Sequence, residues 1–553
     1  MKRALIAVVA LLGLVGCVAI PDSGPVAEGE VDTSEQSSVL VFLAQEPQPG
    51  ATQEEVILGF LAAAISPNDD FSIAREYLAG SAASTWDPDA RVIVRSGAQP
   101  EVSLTGETTA GAQLTVQSEV SSGGALQLTT GNRTLEFELA QVDGEWRISQ
   151  APDGIVLSAF YFDQLFRAHT LHWLTQDGTR TVPELRWFER SATTLPERII
   201  DALLAGPSTW LSPAVSTAGA VEASRVGAPR VDGTTMTVTL DIEQIQQLGS
   251  GSLQPLAGQL ALSLRDVGVR EVRLQVEGLA GFVASSAEAG PFDEGDVDPR
   301  PLVLEGSTLH PIGGGAPALD DVGATLAAIG ATSYTVGAAG GVAHTGSTAA
   351  WVVPDAEPVV ISTDVGAVPT VDDSGWVLLQ ERSATARLLA WRGGERNELP
   401  LPPSFDRVAA MELSRDGSRL AIATAGGGVG GGASSLWVMA VVRDADGQPM
   451  TLGEPYPLPA IEGAAADITW VSPTQVAVLA TDDDRPQITV LAIGGVAEQL
   501  PSPGGGVQAI VGGSEGTTTL RALGADGELL SLRGRVWSPA AGLEPLRLIA
   551  TQQ

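Results

Sequence analysis

The chain has 553 residues, 44% of them hydrophobic, and a formal net charge of −35. At roughly 150 residues per domain, this length predicts three or four globular domains. So acidic a surface repels phosphate backbones, which argues against nucleic acid as a partner. Cys17 is the only cysteine, so internal disulfides are excluded.

The first seventeen residues have the pattern of an export signal. Lys2 and Arg3 precede an apolar run over 4–14, and Gly16 stands immediately before Cys17. This run is shorter than the roughly 20 apolar residues that a membrane span needs. We interpret the unique cysteine as part of a bacterial lipobox, in which the chain is cut between Gly16 and Cys17 and the Cys17 thiol is acylated. The alternative is an ordinary signal peptide with a chance cysteine.

Acylation would determine where the protein works. Each buried CH₂ group contributes about 0.8 kcal/mol, so fatty-acyl chains such as palmitate hold a protein on a bilayer. We expect residues 1–16 to be the signal peptide, 17–50 to be an acylated tether, and the body to lie on the extracytoplasmic face of the cell membrane. With Cys17 acylated, no thiol remains for catalysis or metal binding.

The segment 51–155 predicts a small α+β domain. Thr52 and Glu55 have capping-box spacing ahead of a helical apolar stripe that ends before Pro67. Strand-like runs follow at 90–96, 112–120, 135–142 and 145–149. Helices followed by a meander favour helices packed on an antiparallel sheet.

The segment contains GFLAA at 59–63, AREYL at 74–78, Trp86 and DGEWRIS at 143–149, and CVAIPDSGPV begins at Cys17. Together these motifs resemble the LpqB family of actinobacterial lipoproteins. No constellation in the segment requires a pocket. We therefore expect this domain to be a structural or docking module.

Residues 156–192 are predicted to be a connecting segment rich in aromatic side chains. His169 and His172 lie in it, three residues apart. A zinc site would need two more ligands, and neither cysteine nor clustered carboxylates are available at ligand spacing. We therefore expect side-chain packing here rather than a metal.

The segment 193–280 predicts a second α+β domain. Thr194 and Glu197 again have capping-box spacing, and the run TTMTVTL at 234–240 alternates as a strand does. The order ALLAGP, a strand ending in LDI, LAGQLALSL and VRLQVEG resembles the GerMN domain of bacterial envelope and sporulation proteins. That resemblance implies an interaction or scaffolding unit without assigned catalytic residues.

We expect 281–305 to be an acidic linker and 306–553 to be a β-propeller. The phrase SRDGSRLAIAT at 414–424, with its Asp-Gly turn, is typical of propeller blades, and other turn signals separate further strand-like runs. At 40–45 residues per blade the region holds five or six blades, and a seventh would need part of the linker or an earlier segment. The uncharged stretch 322–353 is expected to form strands.

Catalytic signatures are missing from the sequence. The four histidines lack triad neighbours, and neither a nucleophile elbow nor a phosphate loop occurs. We interpret the glycine-rich stretch 426–432 as a loop and the three aspartates at 482–484 as a solvated turn. A paired-carboxylate site across the propeller channel stays open, but we expect no enzyme activity, no cofactor and no metal.

The expected fold class is multidomain, with two small α+β domains followed by an all-β propeller. This order behind a lipobox resembles LpqB over essentially the full length. The resemblance implies a protein that binds the extracytoplasmic sensor domain of the histidine kinase MtrB and modulates the MtrAB two-component system, affecting cell-envelope homeostasis and division. The alternative is an envelope scaffold or a ligand-binding propeller receptor for peptidoglycan or a small metabolite. A propeller hydrolase is a third class.

Overall fold

A computed structural model describes residues 44–553 with short interruptions. The residues outside the description are 1–43, 191, 219–221, 244–252, 279–282, 288–291, 293–297, 299, 314–318, 384–385, 406, 427–432, 483–484, 541 and 544. The predicted cleavage and acylation site at Gly16 and Cys17 therefore lies outside the described residues, as do Asp483 and Asp484. Across the described ranges, no helix is both long and apolar enough to cross a bilayer.

The first module packs three helices on a five-stranded sheet. Its elements are α1 (Gln53–Ala63), α2 (Asn68–Glu76), α3 (Ala82–Thr85), β1 (Arg91–Leu104), β2 (Thr109–Ser121), β3 (Leu126–Val142), β4 (Glu145–Gln150) and β5 (Ile155–Ser158). The sheet order is β4-β3-β2-β1-β5, with β5 parallel to β1. The predicted capping box is confirmed, because Thr52 and Glu55 each accept the other's backbone N–H.

The segment 156–192, expected to be a connector, is instead part of the folded body. It contains α4 (Ala159–Leu165) and a long antiparallel hairpin of β6 (Phe166–Thr175) and β7 (Thr181–Glu189). Trp173 and Phe188 are fully buried in it. Because apolar side chains occur on both faces of these strands, their sequence lacks the polar alternation that reveals a half-exposed strand.

The second module begins with the hairpin. Its further elements are α5 (Leu195–Ala205), β8 (Val215–Ser216), β9 (Ala223–Arg225), β10 (Arg230–Asp232), β11 (Thr235–Ile242), α6 (Gln254–Ser263), β12 (Glu271–Val276) and β13 (Val283–Ser285). The central strands β11 and β12 are parallel, β13 from the predicted linker pairs with β12, and β8 extends the hairpin at β6. The predicted alternation in β11 is confirmed, with Met236, Val238 and Leu240 buried.

The second predicted capping box is wrong. Thr194 is the N-cap of α5, but its side chain makes no capping hydrogen bond. Its backbone, at φ −91° and ψ 8°, is not in the extended conformation that directs a capping oxygen at the first turn. Pro196 in that turn reduces the need for a cap, because proline has no N–H to satisfy.

The rest of the chain forms antiparallel sheets that we call blades 1 to 5 in chain order. Blade 1 is β16 (Ser333–Gly337), β17 (Gly340–His344), β18 (Ala349–Val352) and β19 (Val359–Ser362). Blade 2 is β20 (Thr370–Val371), β21 (Val377–Leu379), β22 (Arg387–Arg392) and β23 (Glu395–Pro400). Blade 3 is β24 (Val408–Leu413), β25 (Arg419–Thr424), β26 (Ser435–Arg443), β27 (Pro449–Leu452) and β28 (Tyr456–Pro457).

Blade 4 is β29 (Ala464–Ser472), β30 (Gln475–Asp482), β31 (Arg485–Ala492) and β32 (Ala497–Gln499). Blade 5 is β33 (Val507–Val511), β34 (Arg521–Gly524), β35 (Leu529–Arg533) and β36 (Val536–Pro539). The strand runs predicted from the sequence are confirmed in these blades. The predicted Asp-Gly turn at Asp416 and Gly417 joins β24 to β25.

Three strands from opposite ends of this region close the ring. They are β14 (Leu302–Glu305), β15 (Thr308–Pro311) and β37 (Leu548–Gln552), which we call blade 6. Strand β37 pairs antiparallel with β14 and parallel with β16, and the first strands of successive blades contact one another around the ring. The described strands thus give six blades. Strand β14 lies in the segment 281–305, for which the sequence predicts a linker because the short apolar run of this strand carries no alternation.

A helix corrects the expectation that 322–353 consists of strands. This is α7 (Asp320–Ile329), which buries Val322 and Leu326, one helical turn apart, and ends at Gly330 in the left-handed conformation. Gly323 permits a close approach, because a Cβ there would lie 2.4 Å from the carbonyl oxygen of Ser307. The remainder of the stretch forms strands β16 to β18, as expected.

Polar side chains on the first strands connect successive blades. Each accepts a backbone N–H at the next blade: Thr370 from Leu413 at 3.1 Å, Glu412 from Trp470 at 3.4 Å, Asp467 from Ile510 at 2.9 Å and Thr469 from Gly512 at 3.0 Å. The ring is therefore held by hydrogen bonds as well as by apolar packing between its blades.

Two carboxyl groups in this ring have pKa values raised to the neutral range. Burial, and then the nearby Asp467, raise the pKa of Glu412 to about 8, although Thr469, Arg415 and the Trp470 N–H act in the opposite direction. Burial raises the pKa of Asp467 to about 7 against two backbone hydrogen bonds. Both groups therefore hold a proton at pH values where the unfolded chain would be ionised.

The three modules meet at the β6–β7 hairpin. The backbone N–H of Trp187 donates to Gly124 O of the first module at 2.7 Å, and its indole Nε1 donates to Gly494 O of the propeller at 2.7 Å. Tyr456 of the propeller packs on Trp210 of the second module, with ring centroids 5.1 Å apart, and donates to Leu126 O at 2.6 Å. Each module therefore touches the other two.

A buried ion pair holds the hairpin in this position. Glu184 and Arg186 lie two residues apart on β7, are 7% and 4% exposed, and approach to 2.8 Å. Glu184 Oε2 also accepts from Trp173 Nε1 at 2.7 Å, and Arg186 Nη1 donates to Gly123 O at 2.9 Å. The pair thus connects both hairpin strands with the first module.

We expect Glu184→Ala to lower the free energy of unfolding by about 3–5 kcal/mol, because it leaves the buried Arg186 guanidinium without its counter-ion. Urea unfolding followed by tryptophan fluorescence measures the loss. The matched control is Glu398→Ala, which breaks an ion pair whose Glu398 side chain is 63% exposed; such pairs contribute about 0–1 kcal/mol. Equal effects of the two variants would contradict the importance of the buried pair.

We expect the stability of the native chain to fall as pH rises from about 6.5 to 8; at lower pH the lowered pKa of the buried His172 acts in the opposite direction. In this window the folded state holds a proton on Glu412 that the unfolded state has released, which gives a slope of up to about 1.4 kcal/mol per pH unit from this group. Glu412→Gln should remove that contribution, most clearly between pH 7 and 8, where Asp467 contributes less. Urea unfolding at several pH values measures the slope, with the exposed Glu528→Gln as control. An unchanged slope in Glu412→Gln would refute the assignment.

Candidate functional site

A cleft of about 780 Å³ lies between the tip of the hairpin and the propeller, and we call it the hairpin cleft. One wall is the hairpin turn, with Thr175 to Arg180 and nearby Ala214. The other wall consists of three propeller turns, at 372–374, 416–418 and 443–447. These turns join the first strand to the second, or the third to the fourth, so the antiparallel order places them on one face of the ring.

Ion pairs fix the two walls. Arg180 Nη2 lies 2.7 Å from Asp373 Oδ2 across the cleft, and Arg180 Nη1 donates to Arg415 O at 3.1 Å. Within the propeller wall, Arg443 Nη1 lies 2.7 Å from Asp372 Oδ2. The contact between Arg180 and Asp373 joins the hairpin to the propeller and therefore sets the width of the cleft.

Other aspartates of the cleft serve its turns. Asp177 Oδ1 accepts from the Thr175 hydroxyl and from the Thr179 N–H and hydroxyl. Burial opposes ionisation of Asp177, but these hydrogen bonds outweigh it and hold the pKa below its ordinary value. Asp444 Oδ1 accepts from the N–H groups of Asp446 and Gln448 at 3.0 and 2.9 Å.

The two sequence-neighbouring histidines do not form a joint site. His169 and His172 lie on β6, and an odd separation places side chains on opposite faces of a strand. Burial lowers the pKa of His172 to about 4, so its imidazole is neutral at physiological pH. Over the described ranges, no group of three or more His, Cys, Asp or Glu side chains has a geometry that could hold a metal ion.

Glu412 and Asp467 are two carboxyls of the ring close enough for Asp467 to raise the pKa of Glu412. Their hydrogen bonds to Trp470 and Ile510 give them a role in joining blades 3, 4 and 5. In a glycosidase pair the environment separates the two pKa values, so that one carboxyl is the acid and the other is ionised. The pKa values of Glu412 and Asp467 are instead both raised. We assign them to the structure of the ring.

Sequence reasoning missed the hairpin cleft. Its propeller wall contains Asp-Gly turns that the sequence does mark as turns, at Asp416 and Asp446. Their convergence depends on closure of the ring. The opposite wall comes from the segment expected to be a connector, so no local signal could have combined the two.

Family models match the chain in three consecutive stretches. A model of the N-terminal domain of lipoprotein LpqB matches residues 46–163, one described as sporulation and spore germination matches 170–280, and one of the LpqB β-propeller domain matches 316–547. The middle match begins inside β6, so it includes most of the hairpin with the second module.

Curated relatives carry the same family name. Lipoprotein LpqB of Cutibacterium acnes is 29% identical over 52% of this chain and 46% of its own length, so this alignment spans about half of that relative. Lipoprotein LpqB of Streptomyces avermitilis is 26% identical over 74% of this chain and 75% of its own. That of Mycobacterium leprae is 23% identical over 91% of both chains.

Solved structures are similar to parts of the chain. The tandem GerMN domains of GerM from Bacillus subtilis are 20% identical over 21% of this chain and 40% of that chain, with a TM-score of 0.18. Virginiamycin B lyase from Staphylococcus aureus is 16% identical over 38% of this chain and 70% of that chain, with a TM-score of 0.28.

The order of modules, the matched stretches and the named relatives agree with one another. Two small α+β modules precede an all-β propeller, and the LpqB models cover the first and the last of them. The alignments with these relatives cover between 52% and 91% of this chain. The chain belongs to the LpqB family of lipoproteins.

Proposed function

We propose that this LpqB-family lipoprotein is anchored through acylated Cys17 on the extracytoplasmic face of the cell membrane and binds the extracytoplasmic sensor domain of the histidine kinase MtrB. Binding would modulate the MtrAB two-component system and thereby cell-envelope homeostasis and division. The observation that carries the proposal is that LpqB domain models match the first and last modules of a chain whose Gly16-Cys17 sequence has the pattern of a lipobox.

The proposed mechanism is binding without catalysis. A protein that binds one state of a kinase more tightly than the other shifts the kinase toward the state that it prefers. Anchoring both partners in one membrane raises their effective concentration, so a weak contact suffices. The junction at Trp187 and Tyr456 supports this mechanism, because a body whose modules contact one another can transmit a contact on one module to the others.

A second candidate function is a scaffold or receptor that binds peptidoglycan or a small metabolite. The observation that favours it is the hairpin cleft, whose volume of about 780 Å³ lies within the range of roughly 300–1,000 Å³ of ligand sites. Two experiments with the native protein separate these functions. For the first function, purification from solubilised membranes should recover the kinase. For the second, the protein should bind purified cell wall and recover no kinase.

We expect Cys17→Ala to move the protein from the membrane to the soluble fraction, because the acceptor of the acyl chains is gone. Cell fractionation and intact-mass measurement of the purified protein check both consequences. Ser23→Ala, in the same stretch, is the control and should stay acylated and membrane-bound. A Cys17→Ala protein that still sediments with membranes would contradict anchoring through this residue.

We expect crosslinking in intact cells, followed by purification of the native protein and mass spectrometry, to recover the MtrB sensor kinase. The Cys17→Ala variant, expressed to the same level, should recover at least about tenfold less kinase, because loss of the common membrane removes the gain in effective concentration. Recovery of cell-wall fragments without kinase would overturn the proposed partner and favour the second function.

A further inference from the structure

The hairpin cleft is a polar cavity built by two modules, and its volume of about 780 Å³ exceeds what a single ion needs. Its walls cannot separate freely, because Arg180 of the hairpin is paired with Asp373 of the propeller. A cavity that is held open by a direct contact is preorganised for a ligand, since no rearrangement has to precede binding.

The charge of the lining selects the ligand. Six aspartates and two arginines line the cleft. Asp372 and Asp373 are paired with Arg443 and Arg180, and Asp416 is paired with the buried Arg419 behind the wall. Three carboxylates remain, Asp177, Asp444 and Asp446, and over the described ranges none of the three forms a salt bridge, although the charge of Arg180 favours the ionised form of Asp177.

The geometry of these carboxylates leaves them able to bind. The hydrogen bonds that fix Asp177 and Asp444 in their turns engage Oδ1, and Oδ2 takes part in none of them. Asp177 is on the hairpin wall, whereas Asp444 and Asp446 are on the propeller wall. A ligand between the walls therefore meets negative charge from both sides, in a concave site that concentrates the field.

These features exclude some ligand classes and favour one. Phosphate and carboxylate ligands would be repelled by the unpaired acids. A bare metal ion is a poor fit, because in the described part of the chain no three ligating side chains converge. Ammonium and guanidinium groups form charge-assisted hydrogen bonds with carboxylates, and a peptide carrying them can extend between two walls.

We propose that the hairpin cleft receives a basic peptide segment whose lysine or arginine side chains pair with Asp177 on one wall and with Asp444 and Asp446 on the other. The site and its ligand chemistry are independent of which protein supplies the segment, so they do not depend on the identity of the kinase.

The test measures binding of a capped pentapeptide of alternating lysine and glycine to the full-length lipoprotein in nonionic detergent, by calorimetry at low salt. The variant combines Asp177→Ser, Asp444→Asn and Asp446→Ser. Asparagine at 444 keeps the turn acceptor, and serine is used before Gly178 and Gly447 because an asparagine followed by glycine deamidates to an acid. We expect about tenfold weaker binding, since three exposed ion pairs are lost.

The matched control removes the same number of charges outside the cleft, by Glu462→Gln, Glu498→Gln and Glu528→Gln. All three side chains are exposed, and none lines the cleft. We expect its affinity to change less than about twofold. Equal losses in both variants would show general attraction to an acidic chain and overturn the proposal. Absence of binding to the native protein, or full binding to the cleft variant, would overturn it as well.

A second ligand separates a peptide site from a site for any polyamine. Spermidine carries a similar charge without a peptide backbone, and we expect it to bind at least about threefold more weakly than the pentapeptide. Equal or tighter binding of spermidine would overturn the assignment to a peptide. Far-UV circular dichroism and the urea midpoint of the cleft variant should match those of the native protein, so a loss of affinity reports on charge rather than on folding.

Discussion

The arrangement of the whole body depends on the buried contact between Glu184 and Arg186. Both side chains are almost inaccessible, so each ion needs the other to offset the cost of leaving water. Glu184 also accepts from Trp173 on the neighbouring strand and from the Ser208 N–H. Arg186 also donates to Gly123 O of the first module and to Gly206 O. The hairpin is thereby held in one orientation, and Trp187 next to the pair can bond to the first module and the propeller at once. Gly124 allows this close approach, since a Cβ at that residue would lie 3.0 Å from Trp187 O and 3.1 Å from the Phe188 ring.

The propeller solves a different problem, that of connecting sheets that share no strand. Apolar packing alone gives little directional preference, whereas a side-chain acceptor on one first strand and an N–H on the next fix their relative height. Glu412 and Asp467 provide such acceptors at the expense of burying one carboxyl group, that of Glu412, and half-burying the other. Thr370 and Thr469 provide them without a titratable group. The ring therefore combines neutral connections with connections whose strength depends on proton binding.

The sequence predicts the local elements well and the joints between modules poorly. The α1 capping box, the alternation of Met236, Val238 and Leu240, and the Asp416-Gly417 turn each depend on a few neighbouring residues, and the structure contains all three. The hairpin over 166–189 was missed because both of its faces are covered, so burial by distant modules replaced the local polar pattern. Helix α7 was missed because glycine and alanine hide a helical stripe of only two large residues, Val322 and Leu326. The hairpin cleft combines turns more than two hundred residues apart, such as Asp177 and Asp444, and only tertiary structure brings them together.

Strand β37 has a consequence for how the chain matures. It lies between β14 and β16 in a seven-stranded sheet, so residues 548–552 pair with strands that begin at 302 and 333. Strand β37 comes after every other described strand of the ring, so the ring stays open until residues 548–552 pair. Until then β14 and β16 present unpaired strand edges, the kind of surface on which chains aggregate. Docking of β37 is thus the step that converts an aggregation-prone open array into a closed ring.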